Sequence, residues 1–163
     1  MSTPIIQDDC GICRSVHGAS RDPNAIVFEN DLWHVRHMGP PHGVAGWMML
    51  VTKRHVPGPW AFDDELVASL GPTLRHLTSV LLAVTGAVRI YTAWMGESWP
   101  HFHAHLVPRY AAMPKDAKAW GVFDLHRAAG AGEIQVDPTE GARLTAAYRD
   151  ELAKTPPPVS AAR

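Results

Sequence analysis

The chain has 163 residues, of which 46% are apolar and 19% charged, and its formal net charge is −1. That size and balance suit one globular domain with a real core. They exclude a basic face broad enough to grip long nucleic acid, but leave room for the few donors that a phosphorylated small molecule needs.

The opening stretch, MSTPIIQDDCGIC, carries acids and lacks the apolar core of a secretory leader. The longest apolar run, Val80 to Val88, is broken by Thr85 and Gly86 and is too short to span a bilayer. We therefore expect a cytoplasmic protein with no membrane partner. In that compartment the only two cysteines, Cys10 and Cys13, point to metal or redox chemistry rather than a structural disulfide.

Residues 25–38 read as two extended segments around the turn signal Glu29-Asn30-Asp31. Gly39 to Gly46 is a loop by its glycines and prolines, and Trp47 to Arg54 is a buried strand. Asp63 or Asp64 can cap the best helix of the sequence, along which Leu66, Leu70, Leu74, Leu77, Leu81 and Val84 recur at helical spacing. Pro72 should kink or split it, and Gly86 should end it. Ala87 to Met95 alternates like a strand, and the short link GESWP joins it to the segment HFHAHLVPRY, its expected antiparallel neighbour. About 25 residues of weak pattern follow Tyr110, then a helix from Thr139 to Lys154. The fold class is α+β, with about five antiparallel strands and two main helices. One domain is expected over residues 1–154, with its motifs in 10–110, an extension over 111–154 and a disordered tail at 155–163.

His101, His103 and His105 recur at every second position, so on a strand they project to one face while Phe102, Ala104 and Leu106 turn to the other, a natural core face. With His55 in TKRH closing the earlier strand and Cys-Gly-Ile-Cys ahead of both, the chain resembles the histidine triad superfamily of nucleotide hydrolases and transferases. The resemblance runs from Cys10 to Tyr110 and rests on HFHAHLV, its continuation Pro108-Arg109, and Thr52-Lys53-Arg54-His55 in place of the family's Pro-Lys-x-His.

The resemblance implies that His103 is a nucleophile attacking the α-phosphorus of a nucleoside phosphate, of the dinucleoside polyphosphate or phosphoramidate type, to form a covalent nucleotidyl-histidine. It implies that His105 and Ser98 contact the phosphate or leaving group, and that Glu97, Trp99 and Arg109 lie against substrate. Cysteine-bearing relatives hold a structural zinc, and position by position its ligands become Cys10, Cys13, His55 and His101, a closed tetrahedral set. A redox Cys-x-x-Cys is the competing reading, but such motifs sit at a helix start and these cysteines lie in an N-terminus that reads as loop. The resemblance also implies a homodimer, paired through the sheet edge and the long helix.

Departures cluster around the substrate. Gly46-Trp47 stands where Gly-His is common, Met38 lies nearest the position of an acid that holds the ribose, and Glu97 replaces a glutamine. Glu97 is either protonated by burial, turned away, or accepting a hydrogen bond from substrate or water; the last is favoured. A zinc-stabilised module that binds a nucleotide or protein partner with little turnover is the alternative function. His17, His42 and His76 read as surface or partly packed residues, while His34, His37 and His126 are weaker candidates for the pocket wall.

Overall fold

The computed structural model describes residues 6–40, 42–135 and 137–158. Five strands, β1 (Ile26–Glu29), β2 (Trp33–His37), β3 (Met48–Thr52), β4 (Arg89–Ala93) and β5 (His103–Arg109), form one antiparallel sheet in the order β1-β2-β3-β5-β4. The β1–β2 turn is tight because the Asn30 side chain accepts from the backbone N–H groups of Leu32 and Trp33.

The pleat sorts the strands' side chains between two faces. Trp33 and Val35, Met48 and Leu50, and Ala104 and Leu106 join Phe102 on the core face. Against them pack two helices, α2 (Asp64–Thr85) through Leu66, Leu77 and Leu81, and α4 (Pro138–Lys154) through Tyr148 and Leu152. Each fully buried leucine there contributes about 2 kcal/mol. On the other face Met49 and Val51 pack against Cys10, Ile12, Cys13 and Val16 around a short helix, α1 (Gly11–His17). The same pleat sends His103 and His105 to that second face.

Asp63 caps α2 by accepting from the Leu66 N–H, and Gly86 ends it in the left-handed conformation. Pro72 does not split the helix, which runs unbroken from Asp64 to Thr85. Pro72 and Ala68 are both exposed, so the carbonyl that loses its partner faces water rather than the core. By length and composition α2 could cross a bilayer, a property the 80–88 run alone concealed; in this fold its leucine face lies on the sheet.

Three further readings are corrected. Cys10 and Cys13 belong to a helix start, with Cys10 at the N-cap of α1, rather than to a loop. The weak-pattern region contains a helix, α3 (Val122–Gly130). Part of the expected disordered tail is placed: Pro157 is buried and the Thr155 carbonyl accepts from His76 Nε2 at 2.6 Å, while residues 159–163 lie outside the described residues.

Candidate functional site

Three separate segments bring Cys10, Cys13, His55 and His101 together, with their ligand atoms all within 4.8 Å of one another. Cys13 Sγ lies 3.5 Å from His55 Nδ1 and 3.4 Å from His101 Nδ1, and Cys10 Sγ lies 3.6 Å from His101 Nδ1. A tetrahedral zinc bonded to sulfur at about 2.3 Å and nitrogen at about 2.0 Å holds the two about 3.5 Å apart, and these three sulfur–nitrogen separations match it. The imidazole tautomer fits too. A carbonyl can only accept, so His101 Nε2 donates to Thr52 O at 2.8 Å and leaves the Nδ1 lone pair toward the cysteines. Burial holds His101 in its neutral form, pushed down to about 4, and pushes the Cys13 thiol up. The helix start would have suited a redox motif, but two imidazole nitrogens in contact with the sulfurs decide for a structural metal.

One residue beyond His101, the chain enters β5. His103 Nδ1 donates to the His101 carbonyl at 2.7 Å, which leaves its Nε2 with a free lone pair. His103 opens into a cleft of about 650 Å³, also lined by His105, Met49, Arg36, Met38, Phe123 and His126. The β4–β5 link forms one wall with Glu97, Ser98 and Trp99. Trp99 packs on α1 at Gly11, where a Cβ would come within 2.8 Å of the indole. That contact is why a glycine follows Cys10.

His105 is fixed from behind. The Trp47 indole N–H can only donate, and it reaches His105 Nδ1 at 3.1 Å, so the hydrogen of His105 resides on Nε2. Burial, then the neighbouring His103 and His126, push His105 down to about 4, so near neutral pH it is an uncharged donor.

No family model matches the sequence, and no curated protein matches it. Solved structures do. A histidine triad nucleotide-binding protein of Sulfolobus tokodaii superposes with a TM-score of 0.65 at 14% identity, covering 89% of this chain and 93% of its own. A zinc-bound histidine triad family protein of Mycobacterium smegmatis gives 0.62 at 18%, covering 90% and 96%. A histidine triad protein of Bradyrhizobium japonicum gives 0.59 at 20%, covering 77% and 87%. The chain has the histidine triad fold.

Within this histidine triad fold, His103, His105, Ser98, Glu97 and Trp99 line one cleft. Arg109 lies outside it. Its guanidinium donates to the carbonyls of Tyr110, Met113 and Pro114, strapping the turn after β5, so no substrate contact is assigned to it. Glu97 is exposed rather than buried. His126 does line the cleft, whereas His34 is held behind by Glu29 and His37 packs on His42. Sequence reading missed Arg36, Phe123 and the Trp47–His105 bond; alternation along β2 was the signal that would have placed Arg36 on the histidine face.

Proposed function

We propose that this protein is a nucleotide-binding hydrolase or nucleotidyl transferase acting at the α-phosphorus of a nucleoside phosphate, with His103 as nucleophile. The observation that carries this reading is the His103 Nδ1–His101 carbonyl bond, which aims a lone pair into a cleft of nucleotide size. In the first step a bond forms from His103 Nε2 to phosphorus as the bond to the leaving group breaks. His105, donating from Nε2, stabilises the charge gathering on the phosphoryl oxygens, and the Ser98 hydroxyl can donate a hydrogen bond to the departing atom, which takes its proton from water. Water, or a second acceptor, then takes the nucleotidyl group and releases the imidazole. Glu97, at the mouth of the cleft, is suited to accept a hydrogen bond from that water. Trapping a nucleotidyl-histidine in a single turnover tests the scheme.

Trp47 is the positioning residue of this scheme. Trp47→Phe keeps the ring against Phe123 and His126 but removes the indole N–H. We expect kcat to fall about tenfold with KM nearly unchanged, because His105 is then free to carry its hydrogen on the wrong nitrogen. Equal kcat values in the two proteins would show that the tautomer of His105 has no part in the reaction.

Cys10, Cys13, His55 and His101 would hold a structural zinc, and the Mycobacterium smegmatis protein that shares the fold is itself zinc-bound. With all four positions filled by protein, that ion ties α1 to β3 and β5 and supplies no open coordination site. Such a module could also bind a nucleotide or protein partner with little turnover; the observation that favours this second reading is the exposed Glu97 carboxylate, which repels a phosphate at the cleft mouth.

Two features support a homodimer: β4 is an edge strand of the sheet, and apolar side chains remain exposed beside it at Leu82 and Val88. Light scattering at micromolar concentration should return twice the chain mass of 17.8 kDa, and a monomer would refute it.

A further inference from the structure

We propose that Arg36 forms an anion subsite in the cleft, and that the substrate carries a second anionic group beyond the phosphate that reacts. This deepens, and rests on, the reading of His103 as a phosphorus nucleophile. Pairing places Arg36 opposite Met49 and Met49 opposite His105, so the three form one row across β2, β3 and β5 on the same face. Two strand spacings separate the backbones of Arg36 and His105 by about 10 Å. Arg36 therefore borders the cleft on the side away from Glu97 and Ser98.

The guanidinium is under-used by the protein. Among the described residues its Nε, which is buried, has no hydrogen-bond partner, and Nη1 makes only a long 3.5 Å contact to the His37 carbonyl. Among the same residues no carboxylate comes within 4.0 Å of it. Asp22 acts on it only at longer range, and burial weighs against its charge. Arginine does not discharge to escape such a site, so the cost of desolvating it stands until an anion arrives. The neighbouring side chains, Met38 and Met49, offer no competing acceptor, and the planar fork matches a phosphate or carboxylate far better than it matches a sugar diol.

The chemistry of the second anion has two sources, a phosphate on the sugar or a further phosphate in a polyphosphate chain. The test compares three substrates for each common base: a nucleoside 5′-phosphoramidate, its 3′-phosphorylated counterpart, and the dinucleoside tetraphosphate. Wild type should favour one of the two with the extra anion by about ten- to a hundredfold in kcat/KM, and which one names the source. Arg36→Met should lower kcat/KM on the favoured substrate by about ten- to a hundredfold more than on the plain phosphoramidate and so erase that preference, and Arg36→Lys should restore part of it. Absence of a preference in wild type overturns the proposal. So does an equal loss on all three substrates in Arg36→Met, which would put Arg36 on the reacting phosphate. If no substrate turns over, the His103 reading fails, and the subsite is judged by calorimetry on the His103→Ala protein. There a nucleoside 3′,5′-bisphosphate or a nucleoside diphosphate should bind at least about tenfold tighter than the monophosphate, with the gain lost when Arg36→Met is added. Equal affinities would sink it. Melting curves of the Arg36 variants confirm that each is folded.

Discussion

Replacing His103 by alanine is expected to lower kcat by at least about a thousandfold, a loss of about 4 kcal/mol of barrier stabilisation. The expectation follows from the proposed role: among the described residues no other group in the cleft combines an unprotonated nitrogen with a backbone acceptor holding its opposite edge. His105 cannot substitute, because its Nδ1 is occupied by the Trp47 N–H and its Nε2 carries the hydrogen. Stability should change little, since His103 is only partly buried and its loss leaves no closed cavity. The checks are steady-state kinetics, a melting curve and acid-quenched single turnovers with labelled nucleotide. Retention of more than about a tenth of wild-type activity would exclude covalent catalysis by this residue, whatever the fate of the fold.

Purified protein is expected to contain about one zinc per chain, and Cys10→Ser to lose it together with a melting-temperature drop on the order of 10 °C. The size follows from where the ligands lie. They come from α1, the end of β3 and the approach to β5, so without the ion α1 keeps only its packing on Met49, Val51 and Trp99 and the His17 Nε2 hydrogen bond to the Lys53 carbonyl, and loses the tie that joins all three segments. Elemental analysis, then calorimetry before and after chelation, reads both quantities. Metal-free protein of unchanged stability would remove the structural ion from the account. A chelated sample that melts earlier yet still binds nucleotide would confine the ion's role to scaffolding.

Much of this architecture was legible because it depends on local signals. The β1–β2 turn announces itself in Glu29-Asn30-Asp31, α2 in its leucines and its Asp63 cap, and the histidine face in strict alternation. What escaped depends on partners far away in sequence. In α3, VFDLHRAAG has no side-chain N-cap and only Val122 buried, so its helical period is faint; His126 was a weak candidate for the cleft wall, and the contribution of Phe123 went unread. Cys10 looked like loop because seven residues make too short a helix to show a period, and packing on Met49 and Val51 overrides that weakness. The registers that set Arg36 beside Met49 and His105, and Trp47 behind His105, are properties of the assembled sheet. Arg109 misled for the opposite reason: it follows the triad in sequence, yet nearby carbonyls consume its donors.

His101 performs three tasks with one residue: a nitrogen toward the cysteines, a nitrogen toward Thr52, and a carbonyl under His103. That arrangement sets the alphabet allowed at the position. Cysteine would keep a metal ligand but is too short to reach Thr52 as well. Asparagine could meet Thr52 but is a poor partner for an ion held by thiolates. Glutamine or lysine would forfeit the planar ring whose two ends are tied down, and with them the fixed carbonyl on which the next histidine's tautomer depends. Position 101 therefore admits one letter, while Glu97 and Trp99 on the exposed wall have room to drift as substrates change. In this fold the freedom to vary resides in the wall of the cleft, and the obligation to stay the same resides in a buried residue behind it.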